Sequence, residues 1–268
     1  MKLFVSDIDH TLYDPIKKSI HQKNVDSLIA LQQQGVKVAL ATGRIAAGAY
    51  HVAKLVELDK FDGYIIASNG AQILHYDHGE LKEIHAQRID RKIIFELLDL
   101  AIQFNCDFAC EQDGYMVANA YNRGIEYDLT LANIDVLISK TRVEEYIKED
   151  SLKCQFTGEE ENMIKLHANL PDNSGCEFFE HGAMFIDAAS VGINKAIGID
   201  VVCEHIGIDF SDVAAIGDAD NDIAMLKKAA ISAAVSNAKE EVLSIVDHVV
   251  PSVEAAGVAE FAKMFLTV

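Results

Sequence analysis

Short apolar runs that stop at polar residues recur along this chain and constrain its fold more than any other feature. Four of these runs are Leu3–Ser6, Val36–Ala41, Gly63–Ala67 and Val213–Ile216. Their length and composition are typical of buried strands. Helical patterns lie between them, as at Asn24–Gln34, which is amphipathic. Strands that alternate with helices predict an α/β core with a Rossmann-like, doubly wound parallel sheet.

The pattern changes after about residue 78. A helix is predicted over Arg91–Asn105, a hairpin over Asp107–Ala118, a second helix over Glu159–Ala168, and one or two strands within Phe178–Asp187. The alternation of strands and helices resumes after Lys195. We therefore predict a catalytic core formed by residues 1–78 and 187–268. An α+β domain of residues 79–186 is inserted into it.

Polar residues follow the predicted strands at positions where a stable fold does not require them. In open parallel sheets, ligands bind beyond the carboxyl ends of the strands. The unusual residues cluster at those ends, and they are Asp7, Asp9, Thr42, Asn69, Asp218 and Asp222. The sequence therefore predicts a ligand site at this edge of the sheet.

The segment Gly217–Asp222 is the most informative of these positions. It contains three Asp and one Asn directly after an apolar strand, and so many carboxylates repel one another unless a cation lies between them. Oxygen ligands of this kind suit Mg²⁺ better than zinc or copper. An Asp/Asn-rich turn that caps the next helix is the structural alternative.

Asp7 and Asp9 form a second pair of carboxylates, and residues two apart beyond a strand end tend to share a direction. They are read either as a cation site with a nucleophile and an acid, or as an ordinary polar loop in which Asp9 caps a helix. Thr42 is placed at the start of a helix, where it caps that helix, holds a phosphate oxygen, or does both. Lys195 also begins a helix, where its charge works against the helix dipole, and an ordinary solvated lysine is the structural alternative.

Composition limits the partners. The chain has 268 residues and a formal net charge of −19, which disfavours nucleic acid and anionic membranes as partners. A phosphate site then needs local positive charge. Five cysteines without CxxC spacing are expected to be reduced thiols. No secretory signal or apolar span of about 20 residues is recognised, so we expect a cytoplasmic protein.

Four ordered motifs together resemble the haloacid dehalogenase superfamily. Asp7-Ile-Asp9-His-Thr11 is similar to its first motif, Thr42-Gly43-Arg44 to its second, Lys195 to its third and Gly217–Asp222 to its fourth. The inserted segment has the length and position of the larger α/β cap, type IIB (C2B), of Cof-like phosphatases. The chain departs from the family's usual glycine at two positions, which are occupied by His10 and Ala196.

The resemblance implies a mechanism. Asp7 would attack phosphorus and form an aspartyl phosphate, and Asp9 would act as acid and then as base. Mg²⁺ would be held by the carboxylate of Asp7, the backbone carbonyl of Asp9 and Asp218. Supporting roles around the metal are implied for Thr11, Asn221 and Asp222.

Phosphate binding is implied for Thr42, Gly43 and Lys195, while Arg44 either contacts phosphate or substrate or braces its loop. His10 and Asn69 are candidates for contacts with the substrate. The resemblance implies a phosphatase of a small phosphorylated metabolite, such as a sugar phosphate. A phosphosugar mutase on the same fold and a non-catalytic phosphometabolite sensor are the alternatives. The sequence does not indicate the oligomeric state.

Overall fold

The computed structural model describes residues 1–130, 132–171, 175–180 and 185–267. The chain divides into two compact units. The first comprises Met1–Gly43, Ala49–His85 and Asn194–Val268, and the second comprises Arg44–Gly48 and Ala86–Ile193. The division of labour between a catalytic core and a cap, with boundaries at 78/79 and 186/187, stays a prediction.

The regular elements are numbered in chain order over the described residues. The strands are β1 (Leu3–Asp7), β2 (Tyr13–Asp14), β3 (Ser19–Ile20), β4 (Lys37–Ala41), β5 (Tyr64–Ala67), β6 (Gln72–Asp77), β7 (Glu80–Ala86), β8 (Asp107–Gln112), β9 (Tyr115–Ala118), β10 (Val136–Ile138), β11 (Cys154–Thr157), β12 (Cys176–Glu180), β13 (Phe185–Ser190), β14 (Val213–Gly217), β15 (Ile231–Val235) and β16 (His248–Val250). The helices are α1 (Gln22–Gln33), α2 (Tyr50–Leu55), α3 (Arg91–Gln103), α4 (Arg123–Thr130), α5 (Glu160–His167), α6 (Lys195–Ile206), α7 (Ile223–Lys228), α8 (Glu240–Leu243) and α9 (Gly257–Ala262).

The first unit contains an eight-stranded sheet, counted over the described residues, in the order β16-β15-β14-β1-β4-β5-β6-β7. The strands from β16 to β5 run parallel, and β6 runs antiparallel to β5. Every residue of β1 and β14 is buried, as expected for central strands with helices on both faces. The predicted α/β fold with a parallel sheet is confirmed.

One local prediction near the site is wrong. Thr42-Gly43-Arg44 was expected to open a helix, but a short 3₁₀ turn at Ala46–Gly48 follows it and α2 begins only at Tyr50. The backbone N–H of Thr42 instead donates to the carbonyl of Ile66 at 2.8 Å. Thr42 is therefore not at a helix N-terminus, and a helix dipole does not support phosphate binding at this residue.

The second unit contains a six-stranded sheet, again over the described residues, in the order β10-β9-β8-β11-β13-β12. Strands β8 and β9 form the predicted hairpin, and both turn residues, Asp113 and Gly114, have positive φ angles of 51° and 83°. Such angles at both central positions suit the tight turns of hairpins. Within the predicted stretch Phe178–Asp187, residues 181–184 lie outside the described part of the chain.

The two faces of this second sheet differ in chemistry. One face presents apolar side chains such as Phe108 and Phe156, which belong to the same buried cluster as residues of α3 and α5. The other face contains a buried ion pair, in which Lys153 Nζ lies 2.8 Å from Asp187 Oδ2. The pKa of the neighbouring Asp128 is raised to about 6, mainly because this carboxyl group is buried.

Helix α6 packs very closely against the first sheet because small residues allow it. A methyl group at Gly198 would lie 2.4 Å from Cγ2 of Ile66 and 3.3 Å from the Cα of Gly70. The helix begins at Lys195, where the side chain of Asn194 accepts a hydrogen bond from the N–H of Ile197. The position of Lys195 thus depends on a glycine one turn further along the helix. Among the described residues, no helix is long and apolar enough to cross a bilayer.

We expect Gly198→Ala to destabilise the protein by about 1–3 kcal/mol, because the added methyl overpacks against Ile66. The loss is expected although alanine is intrinsically the better helix former by about 1 kcal/mol. Urea unfolding measures the change, with Glu204→Ala on the exposed side of the same helix as the control. Equal stability of the two variants would contradict the close packing of α6.

Candidate active site

The carboxyl ends of β1 and β14 bring two aspartates together. The strands are parallel neighbours, with Ser6 opposite Ile216, so Asp7 and Asp218 follow at the same edge of the sheet. Both carboxylates are buried. Thr11 donates a hydrogen bond from Oγ1 to Oδ1 of Asp218 at 2.7 Å, which links the loop after β1 to the end of β14.

A buried lysine lies between two of the acidic side chains. Nζ of Lys195 is 2.5 Å from Oδ1 of Asp7 and 2.6 Å from Oδ1 of Asp222, and the lysine side chain is fully buried. Burial alone lowers the pKa of this lysine, but the carboxylates of Asp222 and Asp7 outweigh it and the pKa is raised. Lys195 therefore stays charged. It supplies the local positive charge that a phosphate site on this acidic chain would need.

Asp222 is fixed by contacts to both of its carboxylate oxygens. Oδ1 contacts Lys195, and Oδ2 accepts hydrogen bonds from the backbone N–H groups of Asp218 and Ala219 at 2.9 and 3.0 Å. A side chain at Gly217 would collide with this carboxyl group, because its Cβ would lie 2.5 Å from Cγ of Asp222. The geometry therefore makes Asp222 an anchor for Lys195 and for the turn that follows β14.

The acidic groups raise one another's pKa values. Burial, followed by the charge of Asp222, raises the pKa of Asp218 to about 7. Burial also raises the pKa of Asp7 well above its usual range, against the lowering effect of Lys195. One buried cation does not compensate three buried carboxylates, so a second positive charge would stabilise the ionised site.

These residues fit a Mg²⁺ ion. Asp7, Asp218 and Asp222 are the candidate metal cluster found among the described residues, with one carboxylate oxygen from each lying within 4.8 Å of the others. Both oxygens of Asp222 are already engaged, which leaves Asp7 and Asp218 as the side chains that would hold the ion. Hard oxygen donors of this kind are the ligands that Mg²⁺ prefers.

The loop after β1 contains two further predicted site residues, Asp9 and His10. Asp9 is half-buried and forms an isolated bridge with Tyr13. His10 is exposed and has a positive φ of 62°, a backbone region that costs a non-glycine residue about 1 kcal/mol or more. The usual glycine of the family would adopt this conformation without that cost.

Asn69, which follows β5, contacts the acidic segment Gly217–Asp222 through a hydrogen bond between two side-chain amides. Asn221 donates a hydrogen bond from Nδ2 to Oδ1 of Asn69 at 2.9 Å, and Gly43 lies beside this pair. The backbone N–H of Asn69 donates to the carbonyl of Thr42. Asn69 also has a positive φ of 56°. These contacts and this backbone conformation define the turn that follows β5.

Arg44 belongs to the second unit by its contacts. Its side chain is buried, and Nη1 donates to the carbonyl of Gly48 at 2.8 Å. This hydrogen bond braces the loop 44–48, which was one of the two alternatives for the residue. A contact of Arg44 with phosphate or substrate stays a prediction.

Asn237 received no functional role from the sequence. Its Nδ2 donates to the carbonyl of His10 at 2.9 Å, and its Oδ1 accepts from the backbone N–H of Val253 at 2.9 Å. Asn237 lies just beyond the carboxyl end of β15, as Asp218 lies just beyond that of β14, while Asp7 is the last residue of β1. Its position after an apolar strand was the signal that could have placed it near the site.

Comparisons with known proteins identify the family to which the chain is similar. The family of haloacid dehalogenase-like hydrolases matches residues 4–261. A phosphoglycolate phosphatase of Methanopyrus kandleri is 28% identical, with 98% of this chain and 97% of the relative covered. The chloroplastic endoribonuclease YBEY of Arabidopsis thaliana is 23% identical, and the chain spans 44% of its length.

Two solved structures show the same fold. A haloacid dehalogenase-like hydrolase from Bacteroides thetaiotaomicron has a TM-score of 0.89 and 26% identity, with 98% of this chain and 99% of that chain covered. The subclass IIB sugar phosphatase BT4131 has a TM-score of 0.85 and 24% identity, with 99% of both chains covered. The chain belongs to the haloacid dehalogenase-like hydrolase family. The prediction that it is a phosphatase of this superfamily is confirmed at the level of the family.

We expect Mg²⁺ to raise the melting temperature by about 5 °C or more at 100-fold excess over Kd, because the ion binds only the folded site. Since the pKa values of Asp7 and Asp218 are raised, protons compete with the ion. The shift should therefore be larger at pH 8 than at pH 6.

Differential scanning calorimetry measures this effect without any substrate. Asp218→Asn should lose most of the shift. Asp220→Asn, which alters an exposed aspartate of the same segment, serves as the control and should keep it. A shift that is equal in the two variants would place the ion elsewhere.

Proposed function

We propose that the protein is a Mg²⁺-dependent phosphatase that transfers the phosphoryl group of a small metabolite to Asp7 and then to water. The observation that carries this proposal is the contact of a buried strand-end carboxylate, Asp7, with the buried cation of Lys195. Burial raises the pKa of Asp7, and Lys195 counteracts this by favouring the charged form. A bound Mg²⁺ would favour that form further, so that the carboxylate could act as the nucleophile.

The charged groups then have separate tasks. One oxygen of Asp7 contacts Lys195, and the other attacks phosphorus, so that the bond to the leaving oxygen breaks as the aspartyl phosphate forms. Lys195 and the hydroxyl of Thr42 neutralise phosphoryl oxygens, where charge accumulates in the transition state. When bound, Mg²⁺ adds further positive charge against the phosphoryl oxygens.

Asp9 is proposed to move the protons. In the first step its carboxylic acid protonates the leaving oxygen. In the second step its carboxylate takes a proton from the water that attacks the aspartyl phosphate. Asp9 lies two residues after the nucleophile and is half-buried. This position would allow water to replace the leaving group beside Asp9 between the two steps. Thr11 and Asp222 orient Asp218 and Lys195 around this chemistry.

The substrate proposed is a sugar phosphate or a similar small phosphorylated metabolite. BT4131, whose fold the chain shares, is named as a sugar phosphatase, and the relative from Methanopyrus kandleri is named as a phosphoglycolate phosphatase. Both names describe small phosphomonoesters. The net charge of −19 disfavours polyanionic substrates such as nucleic acid.

A phosphate-release screen over phosphorylated metabolites with Mg²⁺ tests the proposal. We expect turnover of one or more sugar phosphates, which EDTA abolishes and Mg²⁺ restores. Asp7→Asn should fold normally and lose on the order of 10³-fold or more in kcat, because an amide does not form the acyl phosphate. Full activity of a folded Asp7→Asn variant, or activity that survives exhaustive chelation, would refute the mechanism.

The role of Asp9 has its own test, which depends on the leaving group. An alkyl phosphate needs an acid because its leaving oxygen is strongly basic, whereas p-nitrophenyl phosphate needs much less help. Asp9→Asn should therefore lower kcat/KM by about 10²-fold or more on the alkyl ester and by clearly less on the nitrophenyl ester. Equal losses on the two esters would argue against Asp9 as the acid.

A further inference from the structure

His10 has an unfavourable backbone conformation, and hydrogen bonds fix both its backbone N–H and its carbonyl group. Its N–H donates to the carbonyl of Tyr13 at 2.9 Å, and its carbonyl accepts from Nδ2 of Asn237 at 2.9 Å. The φ angle between these two hydrogen bonds is 62°. Glycine adopts this region without strain, whereas histidine does not. Strain of this kind persists where the surrounding structure enforces it, and such residues cluster at functional sites.

The imidazole of His10 is available to a ligand. The residue is exposed, and in the described part of the chain no hydrogen bond, ion pair or ring contact involves its side chain. Packing or internal hydrogen bonding therefore does not account for a histidine at this position. Its backbone is nevertheless fixed, so the side chain projects from an anchored point.

The position of His10 in the chain places it next to the residue that is proposed to protonate the leaving group. It directly follows Asp9, the proposed acid, and consecutive Cα atoms are about 3.8 Å apart. The acid must reach the leaving oxygen by a hydrogen bond. The side chain of the next residue therefore starts beside the proposed acid, and our proposal concerns the groups of the substrate that lie one or two carbons from that oxygen.

The surroundings restrict which groups His10 can recognise. Asp7, Asp9 and Asp218 lie on or beside the same loop, and their charges disfavour a second anionic group on the substrate. An imidazole ring offers at least one N–H donor in either protonation state. A hydroxyl oxygen accepts such a hydrogen bond, an alkyl group does not, and the neighbouring aspartates disfavour a carboxylate.

We propose that His10 is a specificity-determining residue that hydrogen-bonds a hydroxyl group of the leaving group, close to the phosphoester oxygen. This inference rests on the proposed phosphatase function. It predicts that the protein favours hydroxylated phosphomonoesters over unsubstituted alkyl esters of the same length. The strain at His10 is then retained because the side chain discriminates between substrates.

Glycerol 1-phosphate and n-propyl phosphate form a matched pair of probes, because they share a three-carbon chain and differ in two hydroxyl groups. The wild-type protein with Mg²⁺ should favour glycerol 1-phosphate in kcat/KM. His10→Gly should lower this preference by about 3- to 10-fold, the effect of one lost hydrogen bond between neutral groups. The loss in kcat/KM should be larger for glycerol 1-phosphate than for n-propyl phosphate. His10→Asn should keep part of the preference, because asparagine tolerates positive φ and offers a donor and an acceptor.

His78→Gly is the matched control. His78 is also an exposed histidine with a positive φ, 51°, but it lies at the turn between β6 and β7. Both glycine variants should melt at or above the wild-type temperature, because both remove backbone strain. Only His10→Gly should change the ratio of the two substrates.

The outcomes separate this inference from the function on which it rests. Absence of phosphate release from every ester tested would overturn the phosphatase function itself. Turnover with an unchanged substrate ratio in His10→Gly would overturn the role of His10 alone. Equal losses on both esters would show that His10 only shapes its loop, and a wild-type protein without preference would exclude the hydroxyl contact.

Discussion

The buried lysine between Asp7 and Asp222 is the interaction on which the rest of the site depends. Nζ of Lys195 contacts both carboxylates within 2.6 Å, and it has no exposed surface. Removing one partner of a buried charge pair commonly costs about 3–5 kcal/mol, because the other charge stays buried and uncompensated. Lys195 is the first residue of α6, and Gly198 allows this helix to pack closely against the sheet. The packing of the helix thus sets the position of the charged side chain that is proposed to bind the phosphoryl group.

The same electrostatic arrangement supports the proposal that the site binds a divalent cation. Burial, followed by the neighbouring carboxylates, raises the pKa values of Asp7 and Asp218, although Lys195 lowers both. A nucleophile must be ionised, so a further cation would favour the form of Asp7 that the proposed mechanism uses. The burial and the repulsion that disfavour the ionised site are thus the reason why we expect Mg²⁺ to bind there and the binding to depend on pH.

The loop that contains Asp9, His10 and Thr11 is held in place by hydrogen bonds to other parts of the first unit. Thr11 connects it to Asp218, and Asn237 connects it to the segment at Val253. An anchored loop holds its side chains in defined positions relative to the reacting group. His10 costs backbone stability in this loop, and this observation supports the proposal that its side chain contacts the substrate.

Much of this protein was determined by the sequence alone. Apolar runs that end in polar residues predicted β1, β4, β5 and β14, because local periodicity reports directly on burial. The structure alone decided which distant residues meet. Lys195 and Asp7 are 188 positions apart, and the hydrogen bond between Asn221 and Asn69 depends on strand order. The prediction of a helix after Thr42 was wrong. The backbone N–H of Thr42 donates instead to the carbonyl of Ile66 in the neighbouring strand β5, and no local pattern records such a tertiary contact.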